Sequence, residues 1–525
     1  MVMADRTYAG AIMALNSLQS NAEAVERTRR NSGKFDHLAL PEMVEYLERI
    51  GWKQTDLNRL NVVHITGTKG KGSTAAFVDA LLRSSPSSST NGIGAPPPLI
   101  GLYTSPHMVK VRERIRLGGK PVSERVFSES FWDVWDRLGA NTTIANPEHT
   151  PLRPAYFKFL TLLAFHIFLT HNVRCAILEV GIGGRYDSTN IVPKPTVTGI
   201  TTLGLDHTAI LGNTLEEIAA QKAGIFKKGV PAASVWQDSQ SARSVIEREA
   251  QKVGASSFRF LSHSDADTLK GVQLGIDGDH QTSNAQLAVF LSRVFLESEP
   301  GTEVFSPSSP LLSRDEVRAN NLTESERIGL ASARWPGRCQ IVRTKGGAGP
   351  VWYLDGAHTK ESLEGCAKWF GSRSSSTSRT LIFNTTHGRN SEELLRGMVG
   401  GLFSSSSSSS GGEAQGDYFD NIIFCTNTTG RTGSSSDLTS VLDGTQPNLD
   451  AQNALASAWK ALYPSSATSV YVMPTIEDAV HLVMEKGQGS EALVTGSLHL
   501  VGGVMSHLVA MGELDDNLCS KDEGS

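Results

Sequence analysis

The sequence predicts an α/β protein of two domains, each built on a largely parallel β-sheet. Short apolar runs that suit buried strands alternate with helix-length stretches through most of the 525 residues, and this alternation is typical of parallel sheets covered by helices. A chain of this length also exceeds what one ordinary hydrophobic core accommodates. These patterns predict a first domain over residues 1–334 and a smaller second domain over residues 335–525.

Three apolar runs predict strands in the first domain. Asn61 to Thr66 is followed by a Gly-rich turn and a helix from about Ser73 to Leu82, and the other two runs are Cys175 to Val180 and Val197 to Leu203. A further apolar segment, Phe159 to Leu169, is shorter than the roughly 20 residues that a membrane helix needs. It therefore predicts a buried helix, and no membrane span is expected.

The second domain is predicted from five short apolar runs, Val351–Leu354, Thr380–Phe383, Ile422–Cys425, Val470–Val472 and Ala492–Val494. Trp335-Pro336-Gly337 precedes them and is predicted to be a hinge, because Pro and Gly interrupt regular structure. Ser-rich insertions are predicted near residues 84–98, 404–412 and 430–436. They hold too few apolar side chains to offset the entropy of ordering them, so we expect them to carry no chemistry.

Composition argues against several kinds of partner and site. The net charge of −5 gives no reason to expect a nucleic-acid partner, because nucleic-acid-binding domains usually present a basic face. The five cysteines are scattered and form no CxxC pair, which favours free thiols in a reducing compartment over disulfides or a structural zinc site. The N-terminus has no apolar signal core, so the cytoplasm is the expected location, with a mitochondrial pool left open.

The strongest functional signal is the run between the first predicted strand and its helix: Gly67, Thr68, Lys69, Gly70, Lys71, Gly72 and Ser73. Glycines allow backbone N–H groups to turn toward phosphate oxygens, and a helix N-terminus adds partial positive charge. Lys71 is expected to reach the terminal phosphates of a nucleotide. The run departs from the strict GxxxxGK[ST] pattern, because Ile65 stands in place of the first glycine and Gly72 separates the lysine from the serine.

Polar residues follow the other predicted strands. Glu179 ends one strand, Asp206-His207 follows another, and Asp355 ends the first strand of the second domain. Ligands of open parallel sheets gather at the carboxyl ends of strands, so Glu179 and His207 are candidate ligands of a cation held by the nucleotide. Mg²⁺ prefers oxygen ligands, which leaves a hydrogen-bonding or core role open for His207. Ser105 is a further candidate, as a hydroxyl on the metal side.

These residues lie in stretches that resemble the folylpolyglutamate synthases, relatives of the bacterial muramyl-peptide ligases. The similar stretches are HITGTKGKGS, GLYTSPH with RERI, LEVGIGGRYDSTN, GLDH, IAAQKAGIFK, DHQTSNAQLA, WPGRCQ, LDGAHT and VTGSLHLVGG. They extend from about Tyr8 to Val504. The segment LNSLQSN, at Leu15 to Asn21, and the WPGRCQ stretch resemble the eukaryotic branch, and fungi are favoured.

The resemblance implies a P-loop-type, mostly parallel-sheet ATPase domain followed by a smaller Rossmann-like domain that carries the glutamate-ligase function. It implies catalytic roles for Lys71, Glu179, His207, Lys222 and Arg338. It implies ATP contacts outside the loop by Gln281, Asn284, Arg338, Asp355 and His358. It also implies that Mg²⁺ is held by Ser105, Glu179 and His207, and that Lys222, if carbamylated, helps hold a second metal. The residues alone would assign Lys222 to a helix surface.

The activity implied by the resemblance is ATP-dependent addition of L-glutamate to the γ-carboxyl of tetrahydrofolate and its polyglutamates, through an acyl phosphate. The expected ligands are therefore these small molecules, ATP and Mg²⁺, with a monovalent cation such as K⁺ left open, and the chain is expected to be a monomer. A dihydrofolate synthase or another muramyl-type ligase would share the ATP residues. A non-catalytic P-loop binding protein is a third, more remote reading.

Overall fold

A computed structural model describes most of the chain. The described residues are 5–19, 36–86, 98–147, 150–262, 269–305, 322–347, 349–376, 378–385, 390–403, 417–430 and 448–515. The three predicted Ser-rich insertions fall largely or wholly outside these ranges, and so does Cys519.

The chain divides into two compact units. The first comprises Met1–Pro106, Arg112–Gly275 and Gln281–Ala333, and the second comprises His107–Val111, Ile276–His280 and Arg334–Ser525. Two short segments, His107–Val111 and Ile276–His280, thus interrupt the first unit in sequence and belong to the second. His107–Val111 belongs to the second unit because Met108 and Val109 pack into one of its apolar cores, with residues such as Trp352 and Val501.

The first unit contains one eight-stranded sheet in the order β4-β3-β2-β5-β1-β6-β7-β8. Its strands are β1 Val63–Thr66, β2 Ile100–Tyr103, β3 Ile115–Leu117, β4 Lys120–Pro121, β5 Cys175–Glu179, β6 Val197–Ile200, β7 Pro231–Val235 and β8 Ser257–Leu261. The pairs from β2 through β5, β1, β6 and β7 to β8 are parallel, whereas β3 and β4 are antiparallel additions at one edge. The parallel strands therefore end at one common edge of the sheet.

The helices of the first unit are α1 Tyr8–Asn16, α2 Asp36–Arg49, α3 Lys71–Ser84, α4 Glu124–Ala140, α5 Tyr156–Thr170, α6 Thr208–Leu211, α7 Leu215–Ala223, α8 Gln240–Val253, α9 Gln281–Leu296, α10 Glu299–Val304 and α11 Glu324–Ser332. Short 3₁₀ turns lie at Gln54–Leu60, Val111–Arg114 and Ser188–Ile191. The three predicted strands are confirmed as β1, β5 and β6. The predicted helix after the Gly-rich turn is α3, which begins two residues early, at Lys71.

Other strands of this sheet escape the sequence pattern for local reasons. β2 contains Gly101, where a Cβ would come within 2.8 Å of the ring of Phe168, so a larger side chain that would have signalled a strand does not fit. β7 begins with Pro231 and continues with two alanines. Small residues and proline are poor strand signals, yet most of β7 is buried, and Ala232 packs into an apolar core with Ile246 of α8.

The apolar segment predicted as a buried helix is α5, and all of Phe159 to Leu169 is buried. Both ring nitrogens of its His166 have polar partners inside the protein. The Nδ1 atom accepts a hydrogen bond of 3.1 Å from the indole N–H of Trp52, and Nε2 lies 3.0 Å from a carboxylate oxygen of Asp133. Within the described residues, no helix is both long enough and apolar enough to cross a membrane.

The second unit contains a six-stranded sheet in the order β13-β12-β11-β14-β10-β9. Its strands are β9 Gln340–Arg343, β10 Val351–Leu354, β11 Ser378–Phe383, β12 Asn421–Cys425, β13 Ser469–Met473 and β14 Ser490–Thr495. Its helices are α12 Lys360–Arg373, α13 Ser391–Phe403, α14 Asp450–Leu462, α15 Ile476–Lys486 and α16 Leu498–Ala510. The five predicted strands are confirmed as β10 to β14, whereas β9, an antiparallel edge strand, was not predicted.

Alternate residues of the second sheet enter two different apolar cores. Tyr353 and Leu381 pack into one core. The residues next to them in sequence, Trp352 and Ile382, pack into the other. This period of two is the geometry of a strand with both faces buried. It explains why the five strands read as continuous apolar runs. The parallel sheets of both units and their helical cover confirm the predicted α/β class.

The described cysteines, Cys175, Cys339, Cys366 and Cys425, are all buried free thiols. Burial raises the pKa of each thiol above its ordinary value. They therefore stay protonated at neutral pH and behave as small apolar side chains.

Candidate active site

The Gly-rich turn between β1 and α3 is shaped by two glycines. Gly70 has a φ of 88°, a left-handed conformation that L side chains rarely adopt. A Cβ on Gly70 would also lie 2.1 Å from the side-chain oxygen of Asn284, and one on Gly67 would lie 1.7 Å from the hydroxyl of Thr201. Neither position tolerates a side chain, because the neighbouring residues pack directly on the loop backbone.

The backbone amides of this loop fall into two groups. Those of Thr68 and Lys69 donate to the carbonyl oxygen of Thr202, at 2.9 and 3.2 Å, so they are already used to anchor the loop. The amides of residues 71–73 open α3, and first-turn amides have no partner within their own helix. A phosphate group bound here would therefore meet the first-turn amides and the positive end of the helix dipole.

Two lysine side chains converge on one loop carbonyl. The Nζ of Lys71 donates to the oxygen of Gly67 at 3.0 Å and to that of Thr68 at 3.3 Å, and the Nζ of Lys222 donates to Gly67 at 2.7 Å. Lys222 is only 3% exposed, so the surface position that its residues alone suggested is wrong. It is buried because the end of α7 packs against the loop. Burial, followed by the charge of Lys71, lowers the pKa of Lys222 to about 7.

Glu179 and Ser105 are brought together at the carboxyl edge of the sheet. Glu179 ends β5, which lies between β2 and β1, and it is only 4% exposed. One carboxylate oxygen accepts a hydrogen bond of 3.0 Å from the backbone N–H of Ser105, which follows β2. The carboxylate therefore sits next to the serine and one strand away from the Gly-rich loop.

His207 lies at the same edge but is more exposed. It follows β6, on the other side of β1, and caps α6 with a φ of 51°. Its ring nitrogen Nε2 is 3.9 Å from a carboxylate oxygen of Asp206, and its side chain is 45% exposed. The core role considered for His207 is thus wrong, because α6 holds its side chain outside the interior.

Asp187 and His64 belong to the site's framework, and sequence reasoning missed both. The carboxylate of Asp187 accepts from the backbone N–H groups of Gly181 and Ile182, at 3.1 and 3.2 Å, so it fixes the glycine turn after Glu179. It also accepts from the hydroxyl of Thr189, which in turn meets Nε2 of His64 at 2.8 Å. Burial lowers the pKa of His64 to about 3, so this ring is neutral. Both lie inside motifs that the sequence singled out, but neither stands at a strand end.

Gln281 and Asn284 form a buried pair at the start of α9. The amide nitrogen of Asn284 donates to the side-chain oxygen of Gln281 at 2.9 Å. Since the oxygen of Asn284 packs against Gly70, the pair lies directly against the Gly-rich loop. The structure thus groups the loop, Lys222 and this pair in one corner of the first unit.

In the second unit, Asp355 follows β10 and organises the backbone around it. One carboxylate oxygen accepts from the N–H of Cys339 at 2.8 Å, and the other accepts from the N–H of Ala357 at 2.9 Å. Asp355 is buried, with 7% exposed. It therefore joins the WPGRCQ stretch to the end of β10.

Arg338 and His358 lie in the same corner of the second unit. A guanidinium nitrogen of Arg338 donates to the carbonyl of Gly337 at 3.0 Å, and a Cβ on Gly356 would come within 2.7 Å of that nitrogen. The Nδ1 atom of His358 is 2.8 Å from the carbonyl of Gly356. The second-unit residues predicted to contact ATP are therefore clustered.

The donor set of the first unit suits a hard cation. Glu179 supplies a carboxylate and Ser105 a hydroxyl, which are oxygen ligands of the kind that Mg²⁺ prefers. No group of three or more His, Cys, Asp or Glu side chains that could hold a metal ion occurs in the part of the chain that the structure describes. Mg²⁺ usually keeps several waters and binds substrate phosphates, so these two oxygen ligands are compatible with it.

Curated relatives decide the family. The chain is 40% identical over 518 residues to the folylpolyglutamate synthase of Candida albicans, and the match covers 95% of this chain and 96% of the relative. It is also 40% identical over 513 residues to that of Saccharomyces cerevisiae strain FostersO, covering 96% and 87%. The chain belongs to the folylpolyglutamate synthases. The resemblance is confirmed, and both relatives are consistent with the expected fungal branch.

Solved structures of folylpolyglutamate synthases share the fold. The Mycobacterium tuberculosis enzyme complexed with ADP and AMPPCP matches with a TM-score of 0.65 and 20% identity, over 95% of this chain and 98% of that one. Escherichia coli FolC in complex with DHPP and ADP matches with a TM-score of 0.64 and 21% identity, over 98% and 100%. No family model matches the chain.

As a folylpolyglutamate synthase, the chain is an ATP-dependent carbon–nitrogen ligase that adds glutamate to tetrahydrofolate. ATP is its nucleotide substrate. The alternatives of a dihydrofolate synthase, another muramyl-type ligase or a non-catalytic binding protein are not favoured.

Proposed function

We propose that the loop between β1 and α3 delivers the γ-phosphoryl group of ATP to the γ-carboxylate of a folate. ADP leaves, and the resulting acyl phosphate is attacked by the amine of L-glutamate. A C–N bond forms, phosphate departs, and the ammonium gives up its proton. The observation that carries this proposal is the geometry of the loop. Its glycines leave no room for side chains, and Lys71 lies against its backbone. The first-turn amides of α3 begin at the same edge of the sheet at which Glu179 ends β5.

The charge on the transferring phosphoryl group has to be neutralised. The first-turn amides of α3 and the ammonium of Lys71 suit this role, since fixed donors in a sheltered site cost little reorganisation. Gln281 and Asn284 are proposed to lie near the adenine. In the second unit, Arg338, Asp355 and His358 are proposed to contact ATP. The division into an ATP-binding domain over 1–334 and a glutamate-ligase domain over 335–525 belongs to the same proposal, as does the hinge at Trp335-Pro336-Gly337.

Mg²⁺ is proposed to be held by Ser105, Glu179 and His207, and Lys222, once carbamylated, is proposed to help hold a second metal. Bound Mg²⁺ would supply positive charge next to the phosphates. The carboxylate of Glu179 and the hydroxyl of Ser105 would hold the cation. A monovalent cation such as K⁺ stays a prediction to which we assign no residues.

The chain is further proposed to act as a cytoplasmic monomer and to have no nucleic-acid partner, and a mitochondrial pool stays open. The net charge of −5 supports the last point, because a phosphate backbone attracts a basic face.

The activity is tested by incubating the purified chain with ATP, tetrahydrofolate and labelled L-glutamate. We expect ADP release in step with label incorporation and with longer folate chains. Dihydropteroate, offered in a parallel reaction, is expected to accept little glutamate. Incorporation confined to dihydropteroate would instead assign the chain to the dihydrofolate synthases, and ADP release without labelled folate would rule out ligation.

Carbamylation of Lys222 is expected to increase as the pH rises through about 7 at constant dissolved CO₂. Only the neutral amine attacks CO₂, and a lysine with its pKa lowered to about 7 is mostly protonated below that pH and mostly neutral above it. Carbon-13 NMR with labelled CO₂ would report the carbamate. The control is Lys227, a nearby lysine whose pKa is also lowered by burial: K227A should keep the signal that K222A loses. A signal that persists in K222A would show that another amine is modified.

A further inference from the structure

Gln237 is a buried glutamine outside all the predicted site residues. It follows β7 and is 3% exposed. Its side-chain oxygen accepts from the backbone N–H of Leu203 at 2.9 Å. Its nitrogen donates to the carbonyl of Thr201 at 3.0 Å, to the hydroxyl of Ser234 at 3.1 Å and to the carbonyl of Val235 at 3.2 Å. One amide thus ties the end of β7 to the chain that leaves β6.

The chain that leaves β6, residues 201–204, is the segment on which the phosphate loop rests, and we call it the bridging segment. The carbonyl of Thr202 accepts from the backbone N–H groups of Thr68 and Lys69 at 2.9 and 3.2 Å. The hydroxyl of Thr201 donates to the carbonyl of Lys69 at 2.7 Å. Gln237 therefore contacts one side of the bridging segment, and the loop contacts the other.

The bridging segment and the loop are in close contact, with no room for an added side chain between them. A Cβ on Gly67 would lie 1.7 Å from the hydroxyl oxygen of Thr201. Gly204 at the far end donates its backbone N–H to the hydroxyl of Thr68 at 3.1 Å. Because Thr201 is fully buried and these hydrogen bonds join the bridging segment directly to the loop, a displacement of the bridging segment has to move the loop.

We propose that Gln237 is a positioning residue for ATP, acting through the bridging segment on the phosphate loop. Its proposed role requires no contact with substrate. Removing its amide leaves the N–H of half-buried Leu203 and the carbonyl of fully buried Thr201 without these partners. The loss is costly for the buried carbonyl, so the bridging segment shifts to regain a partner and the loop amides lose their alignment. This inference rests on the proposed function of the loop as the phosphate site.

The test compares Q237M with the wild type, because methionine keeps the length of the side chain and removes its hydrogen bonds. We expect the dissociation constant of AMPPCP and the KM for ATP to rise by about tenfold, which corresponds to 1.4 kcal/mol of binding free energy. The KM values for glutamate and tetrahydrofolate should change by less than about twofold, within the usual spread of surface effects. A purely structural role would lower Tm without this selective loss.

The matched control is Q286M. Gln286 is also buried in the first unit, with its side-chain nitrogen donating to the carbonyl of Ser262 at 2.8 Å, but it makes no contact with the bridging segment among its described hydrogen bonds. Q286M is expected to lower Tm and leave AMPPCP binding unchanged. Equal weakening of AMPPCP binding in both variants would overturn the proposal, and so would unchanged binding in Q237M.

Two further outcomes can be told apart: a Q237M variant that does not fold, and a wild type that does not bind AMPPCP. If Q237M fails to fold, S234A provides the milder change: it removes one acceptor of the Gln237 amide and is expected to weaken AMPPCP binding by about twofold to threefold, while unchanged binding would overturn the proposal. If the wild type itself binds no AMPPCP, the proposed function of the loop fails. A failure confined to the role of Gln237 leaves wild-type binding intact.

Discussion

Replacing Lys71 with alanine is expected to lower the rate of phosphoryl transfer by about 10³-fold, the order lost when a preorganised charge partner of a reacting group is removed. The ammonium of Lys71 lies at the loop carbonyls of Gly67 and Thr68, at the start of α3, where the terminal phosphates are proposed to bind. The fold should survive, since this lysine contributes no apolar core. Rapid-quench measurement of ADP in a single turnover would give the rate, and circular dichroism would check the fold.

The control for this variant is K228A. Lys228 is exposed and lies beyond α7, so the same loss of charge and side-chain length should leave the transfer rate within about twofold of the wild type. A folded K71A protein that ligates glutamate at the wild-type rate would show that the loop does not hold the transferring phosphate. A comparable loss in K228A would point to net charge rather than to position.

Changing Glu179 to glutamine is expected to reduce kcat by about 10²-fold and to raise the Mg²⁺ concentration needed for half-maximal activity. The amide keeps the shape and can still accept from the backbone N–H of Ser105, but it lacks the negative charge that is proposed to hold Mg²⁺. Cation-based charge stabilisation contributes several kcal/mol to such reactions. Initial rates measured over a Mg²⁺ titration would give both quantities.

Glu491 provides the matched control because it is another buried glutamate, 5% exposed. It accepts hydrogen bonds from the hydroxyl of Tyr353 and the N–H of Ser375 in the second unit. E491Q is expected to lower Tm without changing the Mg²⁺ dependence. If E179Q showed the wild-type Mg²⁺ dependence, the assignment of Glu179 as a metal ligand would be wrong.

The relation between sequence and structure differs from element to element. β1, β5, β6, β10 to β12 and β14 are predictable because most of their side chains are buried on both faces, which leaves continuous apolar runs. β13 is a half-exposed edge strand, but its apolar run remains because its residues pack alternately against the two cores of the second unit. β9 is an edge strand with half-exposed residues and β7 is built from small ones, so the apolar signal that marks a strand is missing from both. His107–Val111 could not be assigned to the second unit, because its membership depends on a core assembled from distant segments.

The sequence by itself determined the two α/β folds, the family and the Gly-rich turn between β1 and α3, because each depends on local patterns: apolar periodicity, glycine spacing and motifs in order. The tertiary structure alone decided the burial of Lys222, the contact of Glu179 with Ser105, and the hydrogen bonds by which Asp187 and Gln237 hold backbone in place. These features join residues far apart in the chain. The physical reason is that burial, and the pKa shift and hydrogen-bond geometry that follow from it, are set by packed neighbours rather than by the residues on either side.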